Sequence, residues 1–164
     1  MKKFLLFVLL GAVIAGCGGV TRETTRYIRP TNYSDAMDEL GRQLVILDKN
    51  VVGGQMTLAQ SGAERALTLA TDVGKFDPQR AGESEADYIE YGAQTDDLRR
   101  SCDRLLYYIE HRRRDDSRDQ VFKVIERYNK MSLTYGPGRQ IKPIERLDNG
   151  RDVRVTKEVP GEFR

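Results

Sequence analysis

Residues 91–109, YGAQTDDLRRSCDRLLYYI, carry the pattern that decides the fold. Their core-facing positions recur at spacings of four, three, four, three and four, the repeat that aligns side chains on one face of an α-helix. These positions are Tyr91, Thr95, Leu98, Cys102, Leu105 and Ile109. Ser84 and Asp87 resemble the capping box that begins such a helix. We therefore predict a long amphipathic helix that presents one stripe to a core.

Two helices of the same kind are predicted upstream. The first is capped by Asn32 or Ser34 and ends at Gly53 and Gly54. Its stripe consists of Tyr33, Met37, Leu40, Leu44, Leu47 and Val51. The second closes at Gly74, and its stripe consists of Ala59, Ala63, Ala66, Ala70 and Val73. The small side chains of this second helix permit close approach of its neighbours.

A fourth helix is predicted downstream, after a turn around residues 115–117. Its stripe consists of Val121, Val124 or Ile125, Tyr128, Met131 and Tyr135. The sequence Gly-Pro-Gly at residues 136–138 must end it. Four amphipathic helices joined by short links predict an all-α fold, an antiparallel up-down-up-down four-helix bundle over residues 33–135.

The last part of the chain, residues 136–164, differs from the bundle in composition. Residues 148–150, Asp-Asn-Gly, are a turn signal, and Val153, Val155 and Val159 show partial strand alternation. High charge and low apolar content favour a flexible, irregular tail, with a short hairpin as the alternative.

The start of the chain, MKKFLLFVLLGAVIAGC over residues 1–17, resembles a bacterial lipoprotein signal. Lys2 and Lys3 precede an apolar run, and small residues precede Cys17, as signal cleavage requires. The run from Phe4 to Ala15 has 12 residues, fewer than the roughly 20 that a membrane-spanning helix needs.

This resemblance implies a cleaved signal peptide over residues 1–16 and lipid attachment at Cys17, followed by a flexible tether over residues 17–32. In such lipoproteins the cysteine thiol carries a diacylglyceryl group, and fatty acyl chains such as palmitate hold the protein in the membrane. The implied location is the periplasmic side of the cell envelope, and Gly18 in place of an aspartate favours the outer membrane. The alternative is plain secretion.

Charge argues against a nucleic-acid partner. The chain has 27 Lys and Arg residues against 25 Asp and Glu residues, and removal of Lys2 and Lys3 leaves 25 against 25. Proteins that bind phosphate backbones concentrate positive charge on one face. The one dense basic cluster, residues 112–114, is followed at once by Asp115 and Asp116 and is interpreted as a solvated helix end. The expected partners are membrane lipid and either an envelope protein or a second copy of the chain.

Catalytic and metal-binding motifs are missing from the sequence. His111 is the single histidine, and its position predicts a helix C-terminal residue rather than a ligand. With Cys17 acylated, Cys102 has no partner for a disulfide within the chain and is interpreted as a core residue. Glu85, Asp87 and Glu90 fit an acidic first turn. The sequence therefore predicts no catalytic residues, no metal site and a protein that is not an enzyme.

The helix order resembles the cytochrome c-prime family of haem-binding four-helix bundles. The similarity lies in residues 36–44, AMDELGRQL, and in the second helix ending in residues 75–78, KFDP. In that family the fourth helix carries Cys-x-x-Cys-His, which attaches haem and ligates its iron. The corresponding residues 128–132 are Tyr-Asn-Lys-Met-Ser, so both cysteines and the histidine are absent.

The sequence therefore predicts a haem-less bundle that acts as a non-enzymatic structural or interaction module and binds no cofactor. The alternative is an electron-transfer protein with noncovalent haem, contacted by Met37, Tyr128 and Met131. The soluble b-type relatives of the resembled family use a methionine early in the first helix, which Met37 matches. A sensor domain that holds a small ligand or a metal in the bundle is the third class.

Overall fold

The computed structural model describes residues 29–78, 84–146 and 152–153. The helices are α1 (Tyr33–Val52), α2 (Met56–Val73), α3 (Glu85–Glu110) and α4 (Arg114–Tyr135). Each helix packs against the next, and α1 packs against α4. Because the links are short, consecutive helices run in opposite directions, and the predicted all-α, up-down-up-down four-helix bundle is confirmed.

Several predicted features fall outside the described residues. They are the signal peptide with Cys17, the tether up to residue 28, the turn at residues 148–150 and the pair Val155 and Val159. The last residues of the predicted tether are described, and Pro30 is already buried. Among the described residues, no helix combines the length and apolar character needed to cross a membrane.

Side-chain caps begin two of the helices. Asn32 is the cap of α1, because its Oδ1 accepts a hydrogen bond from the Asp35 backbone N–H at 2.9 Å. The Ser84 hydroxyl accepts one from the Asp87 N–H at 3.2 Å at the start of α3. Each cap satisfies a backbone donor that has no partner within its helix.

The predicted position of the turn between the third and fourth helices, residues 115–117, is wrong. The chain reverses about one helical turn earlier in the sequence. The chain reverses at residues 111–113, where Arg112 has a positive φ of 55°, and α4 already begins at Arg114. The two aspartates of the predicted turn lie in the first turn of α4. Carboxylates are favourable there because the helix N-terminus carries partial positive charge.

The predicted stripes form one continuous apolar core. The α2 alanines are at most 1% exposed. On their side of the bundle the helices approach closely, since a Cβ added at Gly62 of α2 would meet a Leu47 methyl of α1 at 3.4 Å. The largest fully buried side chains are Tyr33, Tyr128, Met37, Leu40, Leu44, Leu47, Leu69, Leu98, Leu105, Ile109, Ile125 and Met131.

The chain after α4 returns along the bundle. Residues 139–144, which we call the seam segment, contact both α1 and α4. The strand β1 (Glu145–Arg146) then pairs antiparallel with β2 (Asp152–Val153). The short hairpin, considered as the alternative to a flexible tail, is therefore present over these residues, and the seam segment is bound to the bundle rather than mobile.

Candidate functional site

Aromatic rings gather where α1 and α3 begin and α2 and α4 end, which we call the tyrosine end of the bundle. The ring centroids of Tyr33 and Tyr91 are 6.0 Å apart, and those of Tyr91 and Tyr135 are 5.0 Å apart. Both pairs meet edge to face, the arrangement that aromatic quadrupoles favour. The three rings thus join α1, α3 and α4.

The buried hydroxyls at this end differ in their hydrogen bonding. The Tyr91 hydroxyl lies 2.8 Å from the Val73 carbonyl and 2.9 Å from the Phe76 carbonyl, and it donates to this pair at the end of α2. The Tyr33 hydroxyl is buried without a hydrogen-bond partner among the described residues. Burial is the main cause that raises the pKa of both phenols, which therefore stay neutral at physiological pH.

The three residues considered as haem contacts are all core residues. Met37, Tyr128 and Met131 are at most 1% exposed and belong to the continuous apolar core. Burial, with a smaller contribution from the charge of Asp38, raises the pKa of Tyr128. In the folded bundle the three side chains thus pack as core residues, and none of them is exposed to solvent.

His111 lies at the other end of the bundle, as the C-terminal cap of α3. Its Nδ1 is 2.8 Å from the Tyr107 carbonyl, and its ring stacks on Tyr107 with centroids 4.1 Å apart. The neighbouring Arg114 guanidinium donates to the Val52 carbonyl at 2.9 Å. The predicted helix-end role of His111 and the solvated character of the arginine cluster agree with this geometry.

Cys102 occupies its predicted place in the α3 stripe. It is 1% exposed, and burial raises the pKa of its thiol to about 12. Thiolates rather than thiols react with electrophiles and metals. Cys102 is therefore a packing residue in the folded protein.

The acidic residues at the start of α3 bond locally. Asp87 accepts a hydrogen bond from the Ser84 hydroxyl at 2.6 Å, and Glu90 accepts one from the Gln94 amide at 2.8 Å. Within residues 29–78, 84–146 and 152–153, no group of three or more potential metal ligands comes together.

The seam between α1 and α4 contains polar contacts that were not predicted from the sequence. The Asn129 amide donates to the Ile141 carbonyl, and its Oδ1 accepts from the Ile141 N–H, both at 2.8 Å. One side chain thus reproduces the paired bonds of a β-ladder. The Ser132 hydroxyl donates to the Arg139 carbonyl at 2.6 Å. Both residues lie in the stretch 128–132, where the resembled family carries its haem-attachment motif.

Carboxylates of α1 hold the other side of the seam segment. Asp48 is 6% exposed and accepts a hydrogen bond from the Ile144 N–H at 2.8 Å. Asp38 pairs with Arg139 at 2.8 Å. Burial raises the pKa of Asp38, and the charges of Arg139 and Arg42 oppose that shift. Polar side chains of α1 and α4 therefore hold the seam segment against the bundle.

Ile141 anchors the segment between these polar contacts. It is 3% exposed and belongs to the apolar core. An apolar side chain in the core, flanked by bonds to backbone groups, is a general mode of peptide recognition.

Comparison of the chain with protein-family models, curated proteins and solved structures finds no match.

Proposed function

We propose that this protein is a lipoprotein anchored through acylated Cys17, and that its bundle is a non-enzymatic interaction or structural module on the periplasmic side of the envelope. The lipoprotein-type sequence around Cys17 carries the proposal. The outer membrane is favoured over the inner one because the residue after the cysteine is Gly18 rather than an aspartate. A cytochrome c-prime-like ancestry without haem is part of the proposal.

The geometry of the bundle supports a binding role rather than a chemical one. The space between α1 and α4 is filled by buried Met37 and Tyr128, and the seam segment covers it. The described cysteine and histidine are respectively buried and stacked at a helix end. An exposed surface on a filled bundle is suited to contacts with an envelope protein or with a second copy.

Metabolic labelling with an alkyne analogue of palmitate tests the anchoring. We expect label in the unaltered protein and in the Cys102→Ala variant, and none in the Cys17→Ser variant. The labelled forms should sediment with membranes, and separation of the two membranes by density should place them in the outer one. Equal labelling of Cys17→Ser, or no label in any form, would contradict the anchor.

A photo-crosslinking amino acid placed at exposed apolar positions tests the interaction role. Ile89 and Phe122 are 67% and 43% exposed on α3 and α4, and substitution there leaves the core intact. We expect at least one position to give a discrete crosslinked product in intact cells. The same variants without irradiation serve as the control that should give none. A complete lack of products from all exposed positions would count against an interaction module.

A haemin titration tests the electron-transfer alternative. Because the candidate contacts are enclosed in the core, we expect no shift of the Soret band and no stoichiometric binding. Saturable binding of one haem, lost in Met37→Ala and retained in the surface variant Lys49→Gln, would replace the proposal with the alternative.

A further inference from the structure

A cleft of about 280 Å³ opens between α3 and α4. Its apolar wall is formed by Ala93 and by Met131, which is 1% exposed. Concave sites with an apolar wall and few polar groups are where small ligands bind.

The polar lining of the cleft is dominated by positive charge. Arg100, Arg127 and Lys130 line it together with the carboxylate of Asp97. The Arg127 Nε donates to Asp97 at 2.6 Å, which neutralises one of the three cations. Arg100 and Lys130 form no ion pair with any of the described residues. Two cations that form no ion pair with any described residue, which we call the uncompensated cations, therefore line one cavity.

We propose that this cleft binds a phosphomonoester whose carbon portion contacts the apolar part of the lining, to which the exposed Ala93 contributes. A phosphate monoester carries a charge between about −1.5 and −2 at neutral pH, which complements the two uncompensated cations. The Arg100 guanidinium can donate two parallel hydrogen bonds to phosphate oxygens, and Lys130 supplies a point charge. The site requires neither Cys17 nor the seam segment and is independent of the proposed anchoring.

Phosphomonoesters reach such a site either as soluble metabolites or as lipid headgroups. Isothermal titration calorimetry on the full protein separates these sources. Glycerol 3-phosphate is the soluble probe, and dihexanoyl phosphatidic acid is the lipid probe. Binding of glycerol 3-phosphate at least as tight as that of the lipid identifies a soluble ligand, whereas tighter binding of the lipid, or binding of the lipid alone, identifies a lipid headgroup. Either result supports the site when substitutions of Arg100 and Lys130 weaken the binding.

Substitutions of the two uncompensated cations identify the cleft as the place of binding. We expect Arg100→Gln and Lys130→Gln each to weaken binding about tenfold, the effect of losing one charge-assisted hydrogen bond. The matched exposed variant Lys49→Gln, on α1, should bind as the unaltered protein does. Circular dichroism should show the same helix content in all of them.

Three results would overturn the proposal. The first is the absence of saturable binding with either phosphate probe. The second is an equal effect of Lys49→Gln and the two cleft variants, because that indicates a general surface attraction. The third is binding of succinate as tight as that of glycerol 3-phosphate, because the cleft would then select any dianion.

Discussion

Tyr33 and Tyr91 are neighbouring buried phenols with opposite consequences for stability. The Tyr91 hydroxyl satisfies carbonyls at the end of α2, whereas the Tyr33 hydroxyl has no partner among the described residues. Burying a hydroxyl without a hydrogen bond lowers the free energy of unfolding, whereas a hydrogen bond to the buried hydroxyl offsets that loss. The residue type alone therefore does not predict the energetic effect.

This contrast predicts opposite effects of two matched substitutions. Tyr33→Phe keeps the ring contact with Tyr91 and removes the unsatisfied hydroxyl, so it should raise the free energy of unfolding by about 1 kcal/mol. Tyr91→Phe removes the hydroxyl donor that the Val73 and Phe76 carbonyls share, and it should lower the free energy of unfolding by about 1–2 kcal/mol. Urea unfolding followed by circular dichroism measures both. A loss of stability in Tyr33→Phe equal to that in Tyr91→Phe would show that the Tyr33 hydroxyl is satisfied.

Alkaline pH should destabilise the fold through the same buried groups. The pKa values of Tyr33, Tyr91 and Tyr128 are raised by burial, and that of Cys102 rises to about 12. In the unfolded chain these groups ionise near their ordinary pKa values of about 9 to 10. Their contribution to stability is therefore complete below about pH 9 and is lost as pH rises toward the folded-state values.

Each such group should lower the free energy of unfolding by up to about 1.4 kcal/mol per pH unit within that window. Urea midpoints measured from about pH 8 to about pH 11 check the slope. Tyr128→Phe should make it shallower, whereas substitution of the exposed Tyr88 should not. A midpoint that stays constant over this range would contradict the burial of the phenols.

At the residue scale the sequence predicted the burial of the stripes and of Cys102, and the helix-end role of His111. Burial follows from spacing along a helix, which is a local property. The sequence did not predict the hydrogen bonds of the Tyr91 hydroxyl at the end of α2, because those contacts depend on how α2 and α3 pack against each other.

At the scale of elements, the helices were predictable and the seam segment was not. Caps at Asn32 and Ser84 and the stop at residues 136–138 are local signals. The seam segment lacks periodicity, and its binding depends on Asn129, Ser132 and Asp48, which project from two different helices. Ile141 and Ile144, two apolar residues in a polar stretch, were the available clue.

Asn129→Ala should release the seam segment. It removes both hydrogen bonds to Ile141 and should lower the free energy of unfolding by about 1–3 kcal/mol. Hydrogen exchange of the Ile141 amide should accelerate strongly, while exchange within α2 should change much less. Thr134→Ala, on the exposed side of α4, is the control and should alter stability by less than about 0.5 kcal/mol. Unchanged exchange at Ile141 in Asn129→Ala would show that the segment is held by other contacts.

At the scale of the whole molecule, short links and four stripes were sufficient to predict the antiparallel bundle. The proposed anchor adds a geometric limit to it. If Cys17 is acylated, the chain from there to Pro30, where burial begins, spans at most about 45 Å when fully extended. The tyrosine end is the end of the bundle nearer to this tether. The proposed function therefore places the bundle close to the membrane surface.

Mass spectrometry of the N-terminus of the protein purified from membranes tests the central claim most directly. We predict that the first residue is Cys17, that its mass includes a diacylglyceryl group, and that residues 1–16 are absent. Cleavage without lipid would indicate plain secretion. An intact N-terminus beginning at Met1, or an unmodified Cys17 in the membrane-bound protein, would contradict the proposed lipoprotein.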